Sequence, residues 1–315
     1  MLFEELDIDL VRKYLKKNLP VNFYSNMASV YKDLMYLYKK NVSEEWWIKR
    51  QFIKRVGYGL DLKNPKTFNE KLQWLKFHNR KNEYSTMVDK FEVKEYVSNL
   101  IGNNYVIPTL GVWNDVDSID FSSLPKQFVL KCTHDSGSII ICKDKSKFDV
   151  KSAKKKLKKW LKYNYYYATF EWPYKNVKPR IIAEKYMEDE SGGELKDYKF
   201  LCFNGEPKLI EVHSHRLTGG IHTQDIYDME WKKTKIAQIG DPISKVEYPK
   251  PQSFEQMVKF SKILSNNIPH LRVDWYDING RLYFGELTFY DGAGFCPFEK
   301  YSDDLMLGQW MKISL

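Results

Sequence analysis

Apolar residues recur at helical spacing through the first quarter of the chain. Leu10 and Tyr14 lie one helical turn apart, and so do Val30 and Leu34. Apolar residues three or four positions apart line one face of an amphipathic helix. The pattern therefore predicts a helical N-terminal region over residues 1–84.

Two further helices are predicted by the residues that would begin them. Thr67 is followed three positions later by Glu70, which is the spacing of a capping box. This spacing predicts a helix over residues 69–77. A second helix is predicted over residues 89–100, and Lys90 lies at its start.

Beyond residue 105 the pattern changes to short apolar runs bounded by turn residues, which is typical of β-strands. The runs 128–131 and 139–143 flank the turn Asp135-Ser136-Gly137-Ser138. The run 180–186 is a further predicted strand that becomes polar at Glu184. A strand that leaves the core in this way offers backbone donors and acceptors to a planar base.

Two Asn-Gly pairs predict β-hairpins, because this dipeptide adopts the left-handed conformation that a two-residue turn requires. The pairs are Asn204-Gly205 and Asn279-Gly280. The flanking strands are predicted over residues 198–203, 207–212, 271–276 and 282–287. A helix is predicted between the hairpins, over residues 254–264.

Composition and charge describe a globular protein. The chain has 315 residues, of which 43% are hydrophobic and 29% charged, and a net charge of +9. No apolar run approaches the roughly 18 residues of a membrane span, and the acidic start lacks the features of a secretory signal. The four cysteines form no Cys-x-x-Cys pair, which indicates free thiols in a reducing compartment. We therefore expect a cytoplasmic protein.

A lysine-rich segment at residues 151–162 carries seven lysines beside the apolar residues Ala153, Leu157, Trp160 and Leu161. This pattern predicts an amphipathic helix. Its charged face suits either plain solvent exposure or peripheral contact with an anionic membrane surface or an acidic glycan. No nucleic-acid-binding motif accompanies the charge, so we expect no nucleic-acid partner.

A lysine beside a small-residue turn is the first candidate site. Lys131 ends an apolar strand just before Ser136-Gly137-Ser138. A lysine ammonium group and the backbone amides of a flexible turn suit phosphate oxygens. The alternative is a surface hairpin with an exposed lysine, because the sequence has no P-loop and no G-x-G-x-x-G motif.

Two carboxylates on the second predicted hairpin form another candidate site. Asp274 and Glu286 would repel each other unless a cation lay between them, and oxygen ligands of this kind suit Mg²⁺. A two-residue turn would place the two carboxylates on opposite faces. A three-residue loop, Ile278-Asn279-Gly280, would place Arg272, Asp274 and Thr288 on the face of Glu286. The metal hypothesis therefore predicts the three-residue loop.

The order of these residues resembles that of the ATP-grasp superfamily. The segments NPKTFNEKLQWLK, FVLKCTHDSGS, RIIAEKY, DYKFLCFNGEP and RVDWYDINGRLYFGELTFY are similar to its TupA-like branch, over residues 65–298. The resemblance implies an α+β ATP-grasp fold, in which two α+β subdomains with antiparallel sheets sandwich ATP after the helical N-terminal region. The domains expected are residues 1–84, 85–180 and 181–315.

The resemblance implies roles for the candidate residues around ATP. Lys90 and Lys131 would contact the phosphates, Arg272 would hold the transferred phosphate, and the Ser136-Gly137-Ser138 turn would fold over them. The residues expected at the adenine, the ribose and elsewhere on the nucleotide are Glu184, Lys185, Met187, an acid among Glu188–Glu190, and Lys199. Asp274 and Glu286 would bind Mg²⁺. Thr288 stands where many ATP-grasp enzymes have Asn, and its hydroxyl would be a weaker ligand.

The resemblance also implies an activity. TupA-like proteins belong to capsule, teichuronopeptide and O-antigen gene sets and are often called glycosyltransferases. The implied reaction is ATP-dependent carboxylate–amine ligation through an acyl phosphate, with ATP and Mg²⁺ as cofactors. The implied partners are a glycan precursor that contains a uronic acid and an amine donor.

Two alternatives accompany this interpretation. Asp115-Val116-Asp117 has the Asp-x-Asp pattern that glycosyltransferases use for a metal and a sugar nucleotide. A non-catalytic docking protein would use the lysine-rich segment.

His213, His215 and Arg216 form a cluster that suits acceptor recognition, zinc binding or simple loop scaffolding. The loop Asp291-Gly292-Ala293-Gly294 is expected to border the acceptor pocket.

Overall fold

The computed structural model describes residues 21–189, 195–214 and 222–314. The chain divides into two compact units, residues 1–47 and 48–315. Helix α1, Val21–Asn41, belongs to the first unit and exposes Val30 and Leu34. The helix predicted around Leu10 and Tyr14 lies outside the described residues. Helix α2 covers Glu44–Val56.

In the second unit, the helix predicted after Thr67 begins where expected, whereas the helix predicted from Asp89 begins later. They are α3 (Phe68–His78), α4 (Glu83–Val88), α5 (Glu92–Ile101), α6 (Val150–Trp160), α7 (Tyr166–Thr169), α8 (Phe254–Leu264) and α9 (Tyr301–Trp310). The capping box of α3 is confirmed: Thr67 Oγ1 accepts from the Glu70 N–H at 3.2 Å, and the Glu70 carboxylate accepts from the Thr67 N–H at 3.0 Å. No helix within the described residues has the length and apolar character needed to cross a membrane.

Helix α5 begins after the predicted position, and the side chain of Asp89 holds the turn that precedes it. The carboxylate of Asp89 accepts from the backbone N–H groups of Phe91 and Glu92 at 2.8 and 3.2 Å. Arg180 holds the same carboxylate at 2.7 Å. Lys90 is therefore fixed at the turn that leads into α5.

A four-stranded antiparallel sheet has the strand order β1-β4-β2-β3. Its strands are β1 (Thr109–Trp113), β2 (Phe128–Cys132), β3 (Ile139–Cys142) and β4 (Ile181–Lys185). The predicted hairpin of β2 and β3 is confirmed. Strand β4 pairs with both β1 and β2, so it belongs to the four-stranded sheet. The expected domain division after residue 180 stays a prediction.

A five-stranded antiparallel sheet has the strand order β7-β6-β5-β8-β9. Its strands are β5 (Asp197–Phe203), β6 (Glu206–Ser214), β7 (Thr223–Asp228), β8 (His270–Ile278) and β9 (Arg281–Thr288). Both predicted hairpins are confirmed. Asn204, Gly205, Asn279 and Gly280 all have positive φ, as two-residue turns of this kind require.

The predicted three-residue loop between β8 and β9 is wrong. Ile278 pairs directly with Arg281, so the turn has two residues. The register then shifts by one at Gly285, a β-bulge, and beyond it Asp274 lies opposite Glu286. A Cβ at Gly285 would lie 3.0 Å from the Asp274 backbone oxygen, which is a tight contact that favours glycine at this position. The bulge therefore brings the two carboxylates to one face.

The two faces of the five-stranded sheet differ in chemistry. Ile210, Phe200, Val273 and Leu287 form one row across four strands, and all four are fully buried. Helix α8 packs on this side of the sheet. The neighbouring row points the other way, because successive side chains alternate along a strand. Its members are Glu211, Lys199, Asp274 and Glu286.

Candidate active site

A cavity of about 520 Å³ lies between the polar faces of the two sheets. The four-stranded sheet contributes Lys131 and Glu184, and the five-stranded sheet contributes the row of charged residues. The predicted site residues that line this cavity are Lys90, Lys131, Ser136, Glu184, Lys199, His213, Arg272, Asp274, Glu286 and Thr288. Residues that are far apart in the sequence are thus brought to one space.

Lys131 is held by a buried carboxylate. Glu184 Oε2 lies 2.6 Å from Lys131 Nζ, and its Oε1 lies 2.5 Å from Lys94 Nζ. Burial alone would raise the pKa of Glu184, but the two ammonium groups outweigh it and lower the pKa to about 2. The carboxylate is therefore ionised, and it fixes two cations at the cavity wall.

Lys90 connects the start of α5 to the turn and to β9. Its ammonium group donates to the backbone oxygen of Asp135 and lies 3.7 Å from Glu286 Oε1. Lys90 therefore adds a third cation to the cavity, after Lys94 and Lys131, near the carboxylate predicted to bind metal.

In the turn 135–138, one serine side chain lines the cavity and the other forms hydrogen bonds within the turn. Ser136 lines the cavity, and Gly137 has a φ of +92°, where a Cβ would meet no other described atom within 4 Å. Ser138 is buried: its hydroxyl accepts from the Cys132 N–H at 2.9 Å and donates to the Asp135 carboxylate. The Ser138 side chain therefore braces the turn and does not face a phosphate site.

Arg272 and Lys199 converge on Asp274. Arg272 Nε and Nη2 donate to the two carboxylate oxygens of Asp274 at 2.7 and 2.9 Å, and Lys199 Nζ lies 2.6 Å from Oδ2. Arg272 Nη1 also donates to Asp291 at 2.5 Å. Burial would raise the pKa of Asp274, but Arg272 and Lys199 lower it well below its usual range. A buried carboxylate with such partners stays ionised.

The donor atoms around Asp274 and Glu286 fit Mg²⁺. The bulge places the two carboxylates opposite each other, the Glu286 side chain is 30% exposed to the cavity, and Asp274 Oδ1 accepts one hydrogen bond, from Arg272. The described residues contain no cluster of three or more His, Cys, Asp or Glu side chains arranged for a metal. Two carboxylates and the Thr288 hydroxyl would leave further positions to phosphates and water, as Mg²⁺ prefers.

The adenine contacts expected of Glu184, Lys185 and Met187 stay a prediction. Strand β4 is an inner strand, paired on both sides at Glu184, and the Glu184 side chain lines the main cavity. Lys185 and Met187 line a second cavity of about 630 Å³, which adjoins the first at Lys94 and Ile107. Glu188 is exposed and lines neither cavity, and Glu190 lies outside the described residues.

Other predicted site residues lie elsewhere. His215 and Arg216 lie outside the described residues, whereas His213 lines the main cavity. Asp117 pairs with Lys158 on α6 at 2.7 Å and lies away from both cavities, so the Asp-x-Asp pattern serves an ion pair on the surface. Peripheral contact of α6 with an anionic membrane stays a prediction.

The sequence analysis missed several residues of the cavity. Lys94 lies four positions after Lys90 on a helical segment, and this one-turn spacing could have indicated it. Asp291 was expected only as part of a loop near the acceptor, and it holds Arg272. Glu211 faces the cavity because β6 pairs with β5, and no local motif marks it.

A comparison with known protein families identifies the family of the chain. A sequence model of the family described as TupA-like ATPgrasp matches residues 70–312. The chain belongs to the TupA-like ATP-grasp family. The predicted membership and the predicted α+β ATP-grasp fold with antiparallel sheets are both confirmed. No curated protein matches the chain.

Several solved structures resemble this TupA-like ATP-grasp protein at low identity. The ADP complex of N5-carboxyaminoimidazole ribonucleotide synthetase has 14% identity and a TM-score of 0.41, over 70% of this chain and 50% of that chain. D-alanine–D-alanine ligase from Bacillus anthracis complexed with ATP has 16% identity and a TM-score of 0.37, over 65% and 55%. The same ligase from Helicobacter pylori has 14% identity and a TM-score of 0.39, over 79% and 70%. The chain spans about half the length of the first two.

Proposed function

We propose that the protein is an ATP-dependent carboxylate–amine ligase that forms an amide through an acyl phosphate. The carboxylate substrate is a sugar acid of a surface-polysaccharide precursor. The observation that carries the proposal is the charged row Glu211, Lys199, Asp274 and Glu286, which faces Lys131 across one cavity. Membership of the TupA-like ATP-grasp family supports ATP as the nucleotide.

The first step needs positive charge around the transferred phosphate. A substrate carboxylate oxygen attacks the γ-phosphorus, a new O–P bond forms, and the bond to the leaving ADP breaks. Lys90, Lys131 and Arg272 line the cavity where these oxygens would lie. Fixed cations that are already in place stabilise the charge that develops on the phosphate oxygens.

Asp274 and Glu286, with the Thr288 hydroxyl, would hold Mg²⁺, which neutralises phosphate oxygens when it is bound. The position of Asp274 depends on Arg272 and Lys199. Both cations keep Asp274 ionised and hold it in position. Glu286 is placed by the bulge at Gly285.

The second step joins the amine to the activated carboxyl group. The amine nitrogen attacks the acyl carbon, the C–N bond forms, and the bond between that carbon and the phosphate oxygen breaks, so that phosphate leaves. An acyl phosphate is needed because a carboxylate is a poor acyl donor at neutral pH. No nucleophilic Ser or Cys is required by this scheme.

The polar end of the cavity suits a sugar. Gln224, Gln238 and Asp241 line it beside His213, and amide and carboxylate groups of this kind bind hydroxyl groups. The uronic-acid substrate and the amine donor remain the partners we propose.

Product analysis with labelled substrate tests the proposal. The protein is incubated with ATP, Mg²⁺, a panel of uronic acids and their nucleotide derivatives, and ammonia or amino acids. We expect ADP, phosphate and a product whose mass equals the sum of acid and amine minus water. A carboxyl group labelled with oxygen-18 should pass one label to the phosphate. Phosphate without label would contradict the acyl phosphate.

The same panel tests the glycosyltransferase alternative. That activity would consume a nucleotide sugar, release the nucleoside diphosphate and need no ATP. The ion pair of Asp117 with Lys158 does not favour it, because a metal-binding aspartate should face a substrate cavity. Sugar transfer without ATP would overturn the ligase proposal.

A further inference from the structure

An arginine that precedes the family-matched segment 70–312 lines the main cavity. Arg55 lies near the end of α2. Its guanidinium carbon lies 5.3 Å from the centre of the Phe295 ring, which is within the range of a cation–π contact. Arg55 is exposed, so this cation lies where the cavity opens to solvent.

Arg55 differs from the other lysine and arginine side chains of the cavity, which all have a carboxylate partner. The pairs are Lys94 and Lys131 with Glu184, Lys199 and Arg272 with Asp274, and Lys90 with Glu286. Within the described part of the chain, the Arg55 side chain forms no ion pair and no hydrogen bond, and the Phe295 ring is its partner. A guanidinium keeps its charge and carries five N–H donors. Arg55 therefore offers an unpaired cation to whatever occupies the cavity.

The helix that carries Arg55 is well packed. Ile48 and Phe52 lie one turn apart on α2, and both are fully buried. Tyr58, just beyond the helix, packs its ring against Phe52 and donates to the Asp304 carboxylate on α9 at 2.7 Å. This part of α2 belongs to the second compact unit, which also contains the cavity. Arg55 therefore extends from a firmly held element and not from a loose surface segment.

The ring that contacts Arg55 belongs to the loop between β9 and α9, and this loop also reaches the reaction site. Asp291 in the loop accepts from Arg272, which we propose to hold the transferred phosphate. Lys76 holds the loop in place, because its ammonium group lies 4.6 Å from the Phe295 ring and donates to a loop backbone oxygen at 2.8 Å. One loop thus connects the Arg55 contact to the Arg272 contact.

The position of Arg55 favours a substrate over the nucleotide as its ligand. Lys131 and Glu184, which are expected at ATP, belong to the four-stranded sheet, whereas Arg55 contacts the loop expected to border the acceptor pocket. With one face of the guanidinium toward a ring, its N–H edge can bind an anion through two hydrogen bonds. Carboxylate and phosphate groups both match that geometry.

We propose that Arg55 selects a substrate with a second anionic group, a carboxylate or a phosphate, that is remote from the carboxyl group to be activated. This inference rests on the proposed amide-forming function. In the substrate panel, the group is either the carboxylate of an amino acid that serves as amine donor or the diphosphate of a nucleotide-linked uronic acid. Ammonia and the free uronic acid lack it. Arg55 binds this group and takes no part in making or breaking bonds.

The first test measures occupancy of Arg55 and requires no turnover. Phenylglyoxal reacts with exposed guanidinium groups, and mass spectrometry of peptides locates the modified arginines. With a non-hydrolysable ATP analogue and Mg²⁺ present, an amino acid or a nucleotide-linked uronic acid at about four times its Kd should slow the modification of Arg55 about fivefold. Ammonia and the free uronic acid should not slow it. Arg50, on the same helix but lining neither cavity, is the internal control.

The second test compares substrates in amide formation. Arg55→Gln should raise the KM for the substrate that carries the second anion by about 10- to 10²-fold and leave kcat and the KM for ATP near wild type. Arg55→Lys keeps the charge but loses the planar fork, so it should recover part of the loss. Lys54→Gln changes the neighbouring exposed cation of α2, which lines neither cavity, and should resemble wild type.

The two sources of the anion give different patterns. A KM effect with an amino acid but not with ammonia identifies the carboxylate, and an effect with the nucleotide-linked acid but not with the free acid identifies the diphosphate. Protection of Arg55 by no member of the panel, or equal protection by compounds without the second anion, would overturn the proposal. So would a fall in kcat for every substrate, which would mean that Arg55 supports the packing of the loop. If wild type forms no amide, the proposed ligase function fails, and the protection test still judges the anion site separately.

Discussion

Two neighbouring rows of side chains cross the same four strands of the five-stranded sheet, and they have opposite chemistry. One row is Ile210, Phe200, Val273 and Leu287, and each of these side chains is fully buried. The other is Glu211, Lys199, Asp274 and Glu286. Each member of one row is adjacent in sequence to a member of the other. Because successive side chains of a β-strand point to opposite faces, the apolar row lies on one face of the sheet and the charged row on the other.

The two rows contribute differently to the free energy of folding. Full burial of an apolar side chain stabilises a protein by about 1.5–3 kcal/mol, so the apolar row holds the sheet to α8. Buried charges lose their hydration, and the ion pairs of Asp274 with Arg272 and Lys199 offset that loss only in part. The charged row therefore contributes less to the stability of the sheet than the apolar row does.

The largest expected effect comes from the apolar row. Phe200→Ala should lower the free energy of unfolding by about 3–5 kcal/mol, because it leaves a cavity in the core. The folded fraction should still bind ATP, because Phe200 points away from the site. Denaturant unfolding and nucleotide binding at low denaturant check both expectations. Loss of binding by fully folded protein would break the separation of the rows.

The next largest effect comes from the metal end of the charged row. Glu286→Ala should lower Mg²⁺-dependent ATP turnover by about 10²-fold, since the proposed metal site would lose one of its two carboxylates. Its free energy of unfolding should change by less than about 1 kcal/mol, because the side chain is partly exposed. Glu206→Ala, on the same sheet but paired with Lys262 at the surface, is the control. Turnover like that of wild type would remove Glu286 from the site.

Gly285→Ala tests whether the bulge aligns the two carboxylates. The new Cβ would lie 3.0 Å from the Asp274 oxygen and 3.2 Å from the Tyr276 ring, so these neighbours must move by a few tenths of an ångström. We expect turnover to fall by about tenfold and the free energy of unfolding to fall by about 1–2 kcal/mol. Steady-state kinetics and thermal unfolding measure these changes. An unchanged turnover would show that the alignment does not depend on glycine.

The pH dependence of stability tests the charged row at Glu211. The pKa of this carboxyl is about 8 in the folded state and 4.5 without burial, so the folded state binds more protons between these values. The free energy of unfolding should therefore fall as pH rises from 4.5 to 8, by up to about 1.4 kcal/mol per pH unit. Glu211→Gln should lack this component when both proteins are unfolded in parallel. If the free energy of unfolding of both proteins had the same pH dependence, the raised pKa of Glu211 would be contradicted.

The smallest effect is expected at Thr288. Thr288→Asn replaces the hydroxyl of the proposed metal site with an amide oxygen, so turnover at limiting Mg²⁺ should stay the same or rise by up to about threefold. A metal titration of turnover measures the change. A loss larger than about tenfold would mean that Thr288 contributes through packing and not through metal binding.

Local signals predicted much of the fold, whereas pairing between distant segments did not follow from them. The Asn-Gly turns at 204–205 and 279–280 and the capping box at Thr67 were predicted, because each depends on a few adjacent residues. The bulge was missed, although an isolated glycine within a strand is a known signal for one.

Some residues of the candidate site could also be predicted from local patterns. Lys131, Asp274 and Glu286 were marked by the strand patterns around them, and all three line one cavity. The ion pair of Glu184 with Lys94 and the contact of His222 with Asp241 depend on which strands, helices and loops become neighbours. Tertiary pairing decides those contacts, so a single sequence does not reveal them.

A calorimetric titration with a non-hydrolysable ATP analogue tests most directly whether the charged row and Lys131 form a nucleotide site. Wild-type protein should bind one analogue per chain in the presence of Mg²⁺ and much more weakly without it. Glu286→Ala should weaken the Mg²⁺-dependent binding by at least about tenfold. No binding by wild type, or binding that is indifferent to both Mg²⁺ and Glu286, would contradict the assignment of this cavity.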